Sequence, residues 1–159
     1  MRFLFCLLIL HACGSLVAAA PIEQGDIVPS TTLPALSEFP LEQINDGITR
    51  SGRPYNGFTS TEDRGTITLD LVGRFDLDSF LIWNDVNLTG EGIKDFRLDF
   101  FDSSNTLISP GFSATYTAPH RQAAAGEYVF DNVLPDVSRV DLVVLNSYQG
   151  SIFAANRDS

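Results

Sequence analysis

Three polar stretches of this chain carry an aromatic or basic side chain among amides and carboxylates. Arg53, Tyr55 and Asn56 sit in SGRPYNGF, His120 and Arg121 in TAPHRQ, and Tyr148 and Gln149 in NSYQGS. A fourth, SFLIWND, ends on Trp83 with Asn84 and Asp85 directly behind it. These residue types suit one chemistry: a flat ring against the apolar face of a sugar, with amide, carboxylate and guanidinium groups on its hydroxyls. Each also has a structural alternative. Tyr55 and Tyr148 can anchor their loops by packing on the body of the domain, and a lone surface histidine is usually only that. Trp83 is the only tryptophan. A tryptophan inside an apolar strand is more often packing than platform, so it is read as core, with the polar run behind it as loop.

Hydrolysis is the competing chemistry. Asp76 and Asp78 in RFDLD, and Asp99 and Asp102 in DFFDSSN, invite a reading as paired carboxylates acting on a glycosidic bond. Aspartate and asparagine, however, crowd the turns of any acidic β protein. Both cysteines, Cys6 and Cys13, lie near the start, and His120 is the only histidine beyond His11. Most nucleophile–base pairs therefore lack a partner. No phosphate-cradling glycine loop or histidine cluster occurs either. The expectation is a protein that binds and does not catalyse.

The elements that must position these residues read as β. In TITLDL, Ile67, Leu69 and Leu71 alternate with Thr66, Thr68 and Asp70; in KDFRLDFFD, Phe96, Leu98 and Phe100 alternate with Arg97 and Asp99. EYVFDNV and SRVDLVVLN repeat the theme, SFLIWN is apolar on both faces, and SIFAA can close the set. Turn residues punctuate these runs in DSSN, SPG and LPD, and no long helical period appears. Short strands between turn signals predict an all-β antiparallel sandwich of jelly-roll type.

The chain begins differently. Met1 and Arg2 precede an apolar run from Phe3 to Leu10, and SLVAAAP supplies small residues: the order of parts in a secretory leader cleaved after Ala19. A looser reading takes LHAC as a lipobox that would anchor a lipoprotein through Cys13. The run is broken by His11, Cys13 and Gly14, which argues against a membrane span. The expected organisation is a leader at 1–19, an extended opening segment at 20–40 with a first strand near 27–36, and one domain at 41–159. LEQINDGITR should make one helical turn ending at Asp46-Gly47, and 50–64 a long surface loop.

With both cysteines in the leader, the mature domain must stand on its hydrophobic core alone. Twenty acidic residues against ten basic ones leave a formal charge of −10. Such a surface repels nucleic acid and anionic lipid, and suits an exported protein or one that holds calcium. NLT at 87–89 is a glycosylation acceptor if the source is eukaryotic.

An Asp-Gly turn, a loop, GTITLDLVGRFDLDSFLIWND, then IKDFRLDFFDSSNTLI and VSRVDLVVLNSYQGS resemble, in that order, the discoidin family. This is the coagulation-factor-five/eight C-type group of galactose-binding-like jelly rolls, which includes family-32 carbohydrate-binding modules. LDLVG and LDSFLIWN match its consecutive strand motifs, and the resemblance runs from about Leu41 to the end. It implies a sandwich that binds ligands, often sugars, through loops at one end. It also implies a structural calcium near the Asp-Gly turn, with Asp46 and Thr49 matching the family's calcium loop. Ala155 and Asn156 stand where an acidic residue is expected near the last strand, and no arginine follows WND. The expectation is a secreted carbohydrate-binding module for a cell-surface glycan or polysaccharide, with Asn84, Asp85 and the three polar stretches as its contacts. The alternative is an adhesion domain for a protein partner.

Overall fold

Alternation of apolar and polar residues does most of the building here. The computed structural model describes residues 6–12, 20–48, 56–84, 92–108, 113–119 and 124–148. Among the described residues seven strands run in the order β1 (Cys6–Ala12), β2 (Ala20–Pro21), β3 (Ile27–Thr31), β4 (Gly65–Trp83), β5 (Ile93–Phe101), β6 (Ser113–Thr117) and β7 (Gly126–Ser147). Among the described residues, helix is confined to two 3-10 turns, Gln24–Asp26 and Leu41–Ile44. The second is the expected helical turn. Gly47 follows it at φ +79°, and the Ile48 amide donates to Asp46 Oδ1 at 2.9 Å, closing the Asp-Gly turn.

Two long strands organise the rest. β4 and β7 pair antiparallel along both their halves, 65–70 against 139–144 and 79–82 against 126–129. Between those halves the register shifts at Phe75↔Val137 and Leu77↔Leu134, and Gly73 (φ +139°) and Asp136 (φ +57°) lie at the bend. Such irregularities let a ribbon fold over on itself. The first half of β4 and the second half of β7 make one layer, in the order β3–β4–β7–β5–β6. Their other halves make a second layer with β1.

The layers face each other. Phe80 of the second layer lies 6.1 Å, centroid to centroid, from Phe96 of the first; Tyr128 lies 5.2 Å from Phe96, and Phe130 5.2 Å from Phe100. Ile67, Leu69, Leu77, Leu98, Val137, Val140 and Leu142 fill the interior between them. Each such side chain contributes about 1.5–3 kcal/mol on burial. The outer face of the larger layer is polar: Thr68 donates to Asp141 at 2.9 Å, and Arg97 forks onto Asp99. This is an all-β sandwich, as the alternation predicts.

Several details differ from the sequence expectation: EYVFDNV and SRVDLVVLN lie in the single strand β7, and Phe58, Thr59 and Ser60 of the expected surface loop are buried. TITLDL and SFLIWN are one bent strand. Ser113–Thr117 is an unforeseen strand, paired with β5 alone. Trp83 is not core: Phe80 and Ile82 are buried, whereas Leu81 and Trp83 lie half-buried on the outer face. The bulge explains the reversal. Before it Leu69, Leu71 and Leu77 point inward, and after it the phase slips so that even-numbered residues do.

β1 falls within the segment read as a leader. Its backbone pairs with 77–83 of β4, and β2 extends it at His11↔Pro21. It sits at the margin of its layer, so processing after Ala19 would leave the β4–β7 ribbon paired.

Candidate functional site

Strand ends decide which loops meet. The register sets Gly65 against Val144, Ile93 against Ser147 and Asp95 against Thr117. The start of β4, the start of β5, the end of β6 and the end of β7 therefore share one end of the sandwich. The second half of β4 returns there, because Asn84, the residue after Trp83, bonds to Ile93. The connections after Asn84, after Pro119 and after Tyr148 all open at that end. They are the connections that carry Asp85, His120, Arg121 and Gln149.

Asn84 is the hub of this end. It is buried, its Nδ2 donates to the carbonyls of Ile93 (2.6 Å) and Pro119 (3.0 Å), and its Oδ1 accepts from the Ile93 amide at 2.9 Å. That uses both amide donors and one acceptor lone pair of the side chain. Gly92 makes room for it. At φ +102°, a Cβ built on Gly92 would lie 2.6 Å from Asn84 Oδ1, so only glycine serves here. Gly126 does the same for Pro119, whose ring would stand 2.5 Å from an added Cβ.

Tyr148 lies half-buried beside this hub. Its amide donates to the Gly92 carbonyl at 3.2 Å and its hydroxyl to the Ala118 carbonyl at 2.6 Å. Burial, and then the charge of Asp95, push the phenol above its ordinary range. Tyr128 donates to the Thr117 carbonyl at 2.7 Å. Its pKa is pushed up to about 12 by burial, with smaller contributions from Tyr148 and Tyr116. The Tyr116 and Tyr128 rings lie 4.5 Å apart and bridge the edges of the two layers. Asp95 accepts from Thr117 Oγ1 at 3.1 Å and from Asn146 Nδ2 at 3.4 Å.

Asp46 and Asn56 form a separate group. Asn45 donates to the carbonyls of Gln24 and Ile27, which fixes the Asp-Gly turn beside the start of β3. That is the end of β3 away from Thr31, and so away from the Asn84 hub. Asn56 is buried, and its Nδ2 donates to both Asp46 oxygens (3.1 Å) and to the Ile48 carbonyl (3.0 Å). Three oxygens thus converge on one nitrogen. A carboxylate with a carbonyl, and an amide able to turn its own oxygen inward, fit a hard cation in kind. Among the described residues no group of three or more His, Cys, Asp or Glu gathers to complete such a set.

Of the predicted contacts, the structure brings together Asn84, Tyr148 and the stems carrying Asp85, His120, Arg121 and Gln149. It sets Asn56 apart with Asp46. Arg53, Tyr55, Asp85, His120, Arg121, Gln149 and Thr49 themselves lie outside the described residues. Tyr128, Gly92 and Gly126 were missed. Tyr128 had a legible signal, since EYVF puts it in phase with core-facing Phe130. The two glycines had none, because their neighbours are remote in sequence.

The Asp pairs that invite hydrolysis are engaged in the scaffold. Asp76 accepts from the Asp136 amide at 3.1 Å and Asp78 from Ser79 Oγ at 3.0 Å. Asp99 holds Arg97, and Asp102 Oδ1 accepts from the Ser104 and Thr106 amides.

These two layers, with their connections gathered at one end, form an antiparallel β-sandwich. Among solved structures, the chain is similar to the family 32 carbohydrate-binding module of C. perfringens NanJ, solved with galactose. The TM-score is 0.63 at 14% identity, over 81% of this chain and 89% of that one. It is also similar to CpGH89CBM32-5 from Clostridium perfringens, solved with GalNAc-β-1,3-galactose. There the TM-score is 0.56 at 18% identity, over 80% and 89% of the two chains. The fold is that of these family 32 modules. No protein-family model matches the sequence, and no curated protein matches it. Among the described residues no helix is long and apolar enough to cross a membrane.

Proposed function

We propose that this chain is a non-catalytic, exported carbohydrate-binding module that recognises a glycan or polysaccharide through the loops at the Asn84–Tyr148 end. The observation that carries this reading is the gathering of three loop stems at one end, where Asn84 bonds Ile93 and Pro119 and Tyr148 bonds Gly92 and Ala118. Each of those stems leads into polar or aromatic residues suited to sugar hydroxyls and ring faces. The likeness to modules solved with galactose and with a galactose-containing disaccharide supports the ligand class. Affinity per site is weak and gains from repeated sites on a surface.

The test is binding of the purified domain to a broad glycan array, with calcium and then with chelator. The expected result is reproducible binding that Tyr148→Ala abolishes. A silent array from folded protein overturns the reading in favour of an adhesion domain for a protein partner. Export through a leader cleaved after Ala19 predicts a mature chain beginning at Ala20. A lipidated Cys13 found by mass spectrometry would replace it.

Calcium belongs to the same proposal. Asp46, the Ile48 carbonyl and a rotated Asn56 would hold it, with Thr49 as a further oxygen, and it would brace the Asp-Gly turn. Calcium should raise the melting temperature and chelator should lower it. An unchanged melting temperature in both removes the metal from the account.

A further inference from the structure

β6 is an edge strand. Among the described residues it pairs with β5 alone. The end of such a strand would ordinarily fray. Here three consecutive carbonyls beyond and including its last residue each accept a side-chain hydrogen bond, from three different places in the fold. Thr117 O takes the Tyr128 hydroxyl (2.7 Å), Ala118 O the Tyr148 hydroxyl (2.6 Å), and Pro119 O the Asn84 amide (3.0 Å). Tyr128 comes from the facing layer, Tyr148 follows the end of β7 and Asn84 follows the end of β4. The Ala118 amide is also engaged, donating to the Lys94 carbonyl at 2.7 Å.

We infer that Tyr128, Tyr148 and Asn84 are positioning residues that pre-set the 117–119 segment as part of the ligand-binding end. This rests on the carbohydrate-binding reading. The donors are themselves held rigidly. The Tyr128 ring packs edge-on to Phe96 at 5.2 Å and against Tyr116 at 4.5 Å, so its hydroxyl is delivered by the core. Asn84 is kept in place by the absence of a Cβ at Gly92. A segment fixed before ligand arrives spares the ordering cost that a mobile loop meets on binding. The role differs from contact with the sugar, and Tyr128 separates the two: its hydroxyl is directed at the backbone of residue 117.

The test compares wild type with Tyr128→Phe and Tyr148→Phe, which keep the rings and remove one hydrogen bond each. Two quantities are read: affinity for the best polysaccharide of the array, and deuterium exchange of the peptide spanning 114–125. Loss of one bond should lower affinity about threefold to tenfold. It should speed exchange in that peptide while strands β4 and β5 exchange as before. Faster exchange with unchanged affinity would show that the segment does not serve the ligand, and overturns the inference. Unchanged exchange in both variants would show that the hydroxyls do not hold the segment, and also overturns it. If wild type itself binds no glycan, the carbohydrate reading fails, and exchange alone judges whether these side chains set the segment.

Discussion

Asn84→Asp changes one NH2 group to oxygen at the point where Asn84 ties the start of β5 to Pro119. The retained Oδ1 still accepts from the Ile93 amide, but the new oxygen faces the Ile93 and Pro119 carbonyls, 2.6 and 3.0 Å from the present nitrogen. Two acceptors lose their donor at about 1–3 kcal/mol each. The Ile93 carbonyl belongs to a fully buried residue and falls at the upper end; Pro119 is only half-buried and falls at the lower. The sum is about 3–4 kcal/mol at neutral pH, or a fall in Tm on the order of 10 °C for a chain of this size. The introduced carboxyl is raised above its unfolded value by burial and by the facing carbonyls. Protonation then restores one donor, so the deficit relative to wild type should shrink as pH falls through the folded pKa towards about 3.9. Guanidinium unfolding of both proteins at about pH 7 and about pH 4.5 measures this directly. A neutral-pH deficit below about 1 kcal/mol, or one that grows in acid, would refute the hub.

Gly92→Ala should destabilise by about 1–3 kcal/mol, since it combines a positive φ with a Cβ placed on Asn84; equal stability in thermal melts would contradict that packing. Phe96→Ala removes a fully buried ring packed against Phe80, Tyr116 and Tyr128 and should cost about 3–5 kcal/mol. Trp83→Ala, on the outer face, should cost clearly less, and the reverse order in denaturant titrations would return the tryptophan to the core. The folded state holds the Tyr128 proton more tightly than the unfolded chain does. Stability should therefore be level up to about pH 10 and decline as pH rises from there through about 12, and Tyr128→Phe should lessen the decline.

Much of the architecture was legible because it is local. Ile67, Leu69 and Leu71 against Thr66, Thr68 and Asp70 need only a period of two to declare a half-buried strand. The Asp46-Gly47 turn needs only its own two residues. SATYT at 113–117 was not legible: a short edge strand with small polar residues carries little periodic signal. The candidate site was half legible. Its residue types were visible, but not that Asn84 and Tyr148 would serve the backbone, or that Asn56 would turn to Asp46.

By itself the sequence determined an all-β chain, most of its strand runs and turns, and its acidic balance of charge. Each of these follows from composition or from neighbours a few residues apart. Tertiary structure alone decided that Phe80 and not Trp83 faces inward. A bulge set by pairing with residues about fifty positions later shifts the phase. It also decided that the loops after Asn84, Pro119 and Tyr148 share one end, and that Asp46 lies at another. Hydrogen-bond register between distant strands fixes both, and no local window of sequence contains it.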